Sequence, residues 1–136
     1  MIDKIVFETD WYGQVTGKKN SKVIAINQRT GRPFVRMNDK AKAQEREMVE
    51  NFRYDMQISK LRPMDFQDKR IEVSVEVWNK DKRKHDLDNQ VSTILDALVK
   101  AEVLPDDSQE TVRKITAEYM GVDKEDPHVY ITIIAR

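Results

Sequence analysis

The residues most able to do chemistry in this chain are two pairs of aspartates, Asp86 with Asp88 and Asp106 with Asp107. Asp86 and Asp88 lie in Lys80-Asp81-Lys82-Arg83-Lys84-His85-Asp86-Leu87-Asp88-Asn89-Gln90. In an extended segment, residues two apart point the same way, so both carboxylates reach one spot while Leu87 turns inward. Hard divalent cations favour such oxygen ligands, and magnesium usually takes one or two carboxylates with water and phosphate in the remaining positions. An EF-hand loop beginning at Asp86 is excluded, because its sixth position is Val91 and its twelfth Ala97, where glycine and glutamate are required. Two plainer roles compete: Asp86 or Asp88 as a helix cap, and Asp106-Asp107-Ser108 as a turn.

The elements that must position these acids follow from hydropathy patterning. Ile5 to Thr9 reads as a strand, and Lys22 to Asn27 with Phe34 to Met37 as a hairpin about the Thr30-Gly31-Arg32-Pro33 turn. Asn38 is a plausible N-cap for a long helix ending near Ser59, with Ala41, Ala43, Met48, Phe52, Met56 and Ile58 as its apolar positions. Arg70 to Trp78 alternates strictly, with Ile71, Val73, Val75 and Val77 on one face. From Leu87 the spacing becomes helical through Val91, Ile94, Leu95, Leu98 and Ala101, with Pro105 as the terminator. Val112 to Met120 and Val129 to Ala135 close the chain as strands. The expected fold is therefore α+β, a mixed or mainly antiparallel sheet with two principal helices packed against it, as one domain over residues 1–136. A chain of this length buries roughly two-thirds of the surface of its unfolded form.

Composition narrows the function classes. The chain has no cysteine, which excludes disulfides, thiolate metal sites and thiol nucleophiles. No apolar run has the length of a membrane span, and the first ten residues carry Asp3, Lys4, Glu8 and Asp10, so a cytoplasmic location is expected. Net charge is zero, with 24 basic and 24 acidic residues, so any nucleic-acid partner must be recognised through local charge. Between Lys18 and Glu47 nine bases meet three acids, and Lys80 to Lys84 is a second basic run. Lys18, Lys19, Lys22, Arg32, Arg36, Lys82, Arg83 and Lys84 are the candidate phosphate contacts. Trp11-Tyr12 is either a base-stacking pair or the completion of a core. His85 and His128 have no evident catalytic partner, and an exposed loop histidine is the commoner case.

Taken together, Asp86-Leu87-Asp88-Asn89, Leu95-Asp96-Ala97-Leu98 and Asp106-Asp107-Ser108-Gln109, in that order and spacing, resemble the core signature of the RusA family of Holliday junction resolvases. The Lys18-Lys19-Asn20-Ser21 segment ahead of the Thr30 turn is also similar to that family's basic opening. The resemblance implies a homodimeric endodeoxyribonuclease that nicks four-way DNA in recombination and repair, often of phage or prophage origin. It implies magnesium, with manganese as the substitute, held by Asp86, Asp88 and Asp107, and products with a 5′ phosphate and a 3′ hydroxyl. It also implies a fold-back that brings Asp107 to the other two acids. Asp96 then becomes a supporting residue or a solvated acid on the polar face of the helix, while Asn89 orients a ligand or, more simply, bonds the first helical turn. One departure stands out: family members commonly carry a catalytic lysine four residues after the second acid, where this sequence has Ser92. Either another base, with Lys84 or Lys82 nearest in sequence, contacts the phosphate, or the protein is a weak or inactive nuclease that binds branched DNA.

Overall fold

The computed structural model describes residues 4–17 and 22–136. Its strands are β1 (Ile5–Tyr12), β2 (Lys22–Ile26), β3 (Pro33–Met37), β4 (Ile71–Asn79), β5 (Val112–Val122) and β6 (His128–Ala135), and its helices are α1 (Asp39–Ile58) and α2 (Leu87–Lys100). The fold is α+β, as the patterning predicts. Four strands form a mixed sheet in the order β1-β6-β4-β5, with β1–β6 and β6–β4 antiparallel and β4–β5 parallel.

Strict alternation in β4 and β6 creates the sheet's apolar face. Ile71, Val73, Val75 and Val77 are buried, as are Val129, Ile131, Ile133 and Ala135. Register sets Ile133 between Phe7 of β1 and Val73 of β4, so one apolar layer crosses three strands. Each such aliphatic side chain, fully buried, contributes roughly 1.5–3 kcal/mol.

Both helices bury one stripe against this layer. The Asn38 side chain caps α1 by accepting the Ala41 N–H at 2.8 Å, and Ala41, Met48, Phe52 and Met56 are buried. Ile58 departs from the expected stripe and is 64% exposed, because two residues after Met56 it has rotated off the buried face. In α2, Val91, Ile94, Leu95 and Leu98 are buried, as is Ala101 just past its end, all as expected. The stop is not made by Pro105. Glu102 adopts φ 62°, and the N–H groups of Glu102 and Val103 return to the carbonyls of Val99 and Leu98. That left-handed termination closes the helix before the proline is reached.

β2 and β3 form a separate antiparallel hairpin whose turn relies on Gly31 at φ 70°. No residue described in either strand is buried; Ile24 is 77% and Val35 64% exposed. No helix among the described residues is long and apolar enough to cross a membrane.

Candidate active site

A buried amide cluster fixes the start of α2. Gln90 is almost fully buried, and its Nε2 donates to the Val15 carbonyl at 2.9 Å and to Asn79 Oδ1 at 3.0 Å. Gln14 Nε2 donates to the same two oxygens, each at 2.9 Å, while its Oε1 accepts the Lys80 N–H at 2.7 Å. These bonds tie the segment after β1, the end of β4 and the first turn of α2 together. Low local polarity strengthens such bonds and makes the loss of one partner costly. The sequence signal was available: Asn79 continues the buried phase of β4, and Gln90 precedes Ile94 by one helical turn on the buried stripe.

On that framework Asp86 and Asp88 are both exposed. The pair does not lie in extended backbone as the sequence suggested, because the helix begins between the two residues. Asp86 is the extended N-cap residue and Asp88 belongs to the first turn. Asp86 occupies the cap position without using its side chain to cap, and Asp88 accepts the Asn89 N–H at 2.9 Å. The partial positive charge at a helix start favours ionised carboxylates there. A cleft beside the acids is lined by Lys82, Arg83, Lys84, His85 and, from β5, Tyr119. His85 Nε2 is buried and has no hydrogen-bond partner among the described residues.

Asp107 is exposed at the other end of the sheet. β5 does pair beside β4, but in parallel: Ile71 is opposite Val112 and Asn79 opposite Val122. The residues before Val112 therefore stand beside the beginning of β4, whereas Asp86 follows its end. The 14 residues of α2 measure roughly 21 Å along the axis, and the nine of β4 about 26 Å between end residues. A single chain thus lacks the expected fold-back of Asp107 onto Asp86 and Asp88. Among the described residues, no three acidic or imidazole side chains form a group able to hold a metal ion.

The second pair is itself differentiated. Asp106 Oδ1 accepts the Ser108 N–H at 2.8 Å, and bonds from Ser108, followed by one from Thr111, hold its carboxyl below the ordinary aspartate range. Asp106 is the turn residue, which leaves Asp107 outside that role. Beside them, a cleft of about 530 Å³ brings together Lys69, Arg70 and Arg113, a basic group that no local sequence run announces.

The family model of the endodeoxyribonuclease RusA matches residues 13–134, nearly the whole chain. The chain belongs to the RusA endodeoxyribonuclease family. No curated protein sequence matches it.

In this RusA-family chain Ser92 is exposed one helical turn after Asp88, so nothing buried displaces the missing lysine. Asn89 packs against the backbone of Gly17: a Cβ on Gly17 would fall 2.0 Å from Asn89 Nδ2. This close approach favours a structural role for Asn89 and holds the segment preceding Lys18 against the start of α2. Lys18 and Lys19 themselves lie outside the described residues, as does the side chain of Lys22. Asp96 is half-buried and about 12 Å of helix rise from Asp88, so it does not adjoin the acidic pair. Arg32 is exposed at the hairpin turn, and Arg36 Nη1 bonds Asp39 Oδ1 at 3.1 Å. Trp11 is buried in the core, whereas Tyr12 is 61% exposed and stacks on His128, whose other face stacks on Trp78. Sequence reasoning missed that three-ring row because its members come from three strands.

Proposed function

We propose that the protein is a divalent-cation-dependent endonuclease that resolves four-way DNA junctions as a homodimer. Asp86 carries the reading: an exposed carboxylate at a helix start, not used for capping, in a chain of the RusA family. Asp86 and Asp88 are suited to magnesium, which accepts one or two carboxylates, and manganese shares that chemistry. Asp107 of a second copy supplies the third carboxylate, since within one chain it stands at the far end of β4 and α2.

When bound, the cation neutralises developing charge on the phosphate and favours deprotonation of water. The chain's own groups do the remaining work. The amide cluster around Gln90 holds the two acids at the head of α2. Lys82, Arg83 and Lys84 line the adjoining cleft and bind the phosphates flanking the scissile bond, with Lys84 nearest in sequence to the acids. Arg32 and Arg36 of the hairpin, with Lys18, Lys19 and Lys22, extend the contact along the DNA arms. Two-fold symmetry of the dimer matches that of a four-way junction and directs paired nicks to opposing strands.

The test is cleavage of a labelled synthetic junction beside linear duplex, with magnesium, with EDTA and with Asp86→Asn protein. Paired nicks on the junction, abolished by EDTA and by the substitution, are the expected result. Full metal-dependent nicking by Asp86→Asn would reject the assignment. The exposed Ser92 favours a second reading, a branched-DNA-binding protein with little or no cleavage, which predicts tight junction binding without nicks in either cation.

A further inference from the structure

The cleft beside Asp86 and Asp88 is basic on one side only. Lys82, Arg83 and Lys84 are exposed, whereas Leu87, the buried amides of Asn79 and Gln90, and Tyr119 of β5 form the rest of its wall. Tyr119 shares a face with the core residue Val77, its partner across the parallel strands, yet it is 47% exposed, so the helix layer stops short of this ring. The cleft holds about 230 Å³, less than the roughly 300–1,000 Å³ of pockets that take drug-sized ligands. One small planar ring system fits it, and a base pair does not.

A phosphate is served by the three rim cations and gains nothing from an aromatic ring and an aliphatic side chain behind them. A nucleobase gains from both, since every base presents a flat face to stack on an aromatic ring and polar atoms along its edge. His85 supplies the polar counterpart. Its ring lines the cleft, and its Nε2 is buried with no hydrogen-bond partner among the described residues. Leaving such an atom unpaired is costly, and a turn of the imidazole brings it to the edge of a base in the cleft. Asp86 has extended backbone, so the side chains on either side of it, His85 and Leu87, line the cleft while its own carboxylate points away. A strand crossing this segment therefore presents a phosphate to the acids on one side and a base to the cleft on the other.

We infer that the cleft takes one unpaired base of the DNA, stacked on Tyr119 and bonded along its edge by His85, while Lys82, Arg83 and Lys84 hold the neighbouring phosphates. This rests on the reading above that the acids and the rim cations meet DNA. Taking a base out of a stacked duplex is costly, and the cost is least where the base is already unpaired. The cleft thus selects DNA with an open base beside the site of cleavage, by a contact that depends neither on the metal nor on the phosphate charge. Tyr119 gives affinity, because stacking tolerates any base, and His85 gives preference among bases, because an edge bond depends on which atoms the base presents.

The test is binding of a synthetic four-way junction to the full chain in EDTA, where affinity is read without cleavage. Each nucleotide near the branch point is replaced in turn by an abasic residue, a scan that needs no variant protein. At one position the loss of the base should weaken binding about tenfold, the lower part of what one base–aromatic stack contributes. Tyr119→Leu should cost a similar factor on the intact junction, Tyr119→Phe should cost little, and the Tyr119→Leu and abasic losses should not add. The slope of log affinity against log salt should stay unchanged in Tyr119→Leu, because no phosphate contact is removed. His85→Phe should level the affinities for the four bases at that position. Tyr119→Leu binding as tightly as the natural chain, or losses that add at every position, would overturn the pocket. A junction that is nicked in magnesium without any such coupling leaves the nuclease reading standing and removes only this pocket. Coupling without nicks in magnesium or manganese sustains the pocket and counts against the nuclease reading alone.

Discussion

Asp86 and Asp107 stand at opposite ends of one β-α-β unit, the first beyond the end of β4 and the second before the start of β5. The parallel pairing makes this separation a property of topology, beyond the reach of a small loop movement. A shared site then requires two chains, which gives a sharp complementation test. Asp88→Asn and Asp107→Asn proteins should each be inactive alone. After mixing and subunit exchange, a heterodimer holds one intact site, with Asp86 and Asp88 from one chain and Asp107 from the other. Junction nicking should return on a single strand. Persistent inactivity of mixtures shown to contain heterodimers would place the acids in some other arrangement.

The difference between what was legible and what was not follows the range of the interactions. Alternation in β4, the Asn38 cap and the stripe of α2 are local, and the structure reproduces them within a residue or two. β1, however, pairs with β6 from the other end of the chain, and β5 runs parallel to β4. Strand direction and partner choice depend on how the whole apolar layer closes, so no local period carries them. The site divides similarly. Spacing brought out Asp86 with Asp88 and the Asp106-Asp107 pair, the family resemblance singled out Asp107, and neither could show that the parallel pairing of β4 and β5 keeps the two pairs apart. Lys69, Arg70 and Arg113 meet only because the starts of β4 and β5 are neighbours.

Asn79 and Gln90 are buried polar groups whose value lies in their mutual satisfaction. In Asn79→Leu, both Gln14 and Gln90 lose one of their two shared acceptors and keep only the Val15 carbonyl. The variant should be less stable by about 1–3 kcal/mol in urea unfolding, with junction cleavage reduced further than stability alone explains. Unchanged stability would mean that the cluster does not fasten the start of α2.

Ser92 offers a gain-of-function test. It is exposed and one turn after Asp88, so a lysine introduced there meets no buried neighbour and projects from the side of the helix that carries Asp88. Ser92→Lys should raise the single-turnover nicking rate by about 100-fold, the lower end of what one charge-stabilising donor contributes, while junction affinity changes little. Lys84→Ala should slow nicking in the natural sequence and matter less in the Ser92→Lys background. If Ser92→Lys changes nothing and Lys84→Ala abolishes cleavage, Lys84 already supplies the whole effect.

Asp106 carries a pH signature. Its carboxyl is held below the ordinary value of 3.8, first by the bonds from Ser108 and then by Thr111. A folded pKa below the unfolded one means the ionised form favours folding. This contribution is complete above the unfolded pKa, and it fades as pH falls from about 3.8 through the lowered folded value. Carboxyl chemical shifts should show Asp106 titrating below an ordinary aspartate, and Ser108→Ala should move that midpoint upward. A midpoint that ignores Ser108→Ala would contradict the turn geometry assigned to Asp106.

The β2–β3 hairpin separates positioning from chemistry. It has no described buried residue and carries Arg29 and Arg32 at an exposed turn, whereas the acids lie at the head of α2. A phosphate contact made there contributes affinity through counterion release and carries no sequence preference. Arg32→Ala should weaken junction binding and flatten the slope of log affinity against log salt by about one. Nicking at saturating protein should keep its rate, because the cleft residues are untouched. A rate loss that saturation cannot rescue would place Arg32 at the scissile phosphate, and an unchanged salt slope would remove the hairpin turn from the DNA interface.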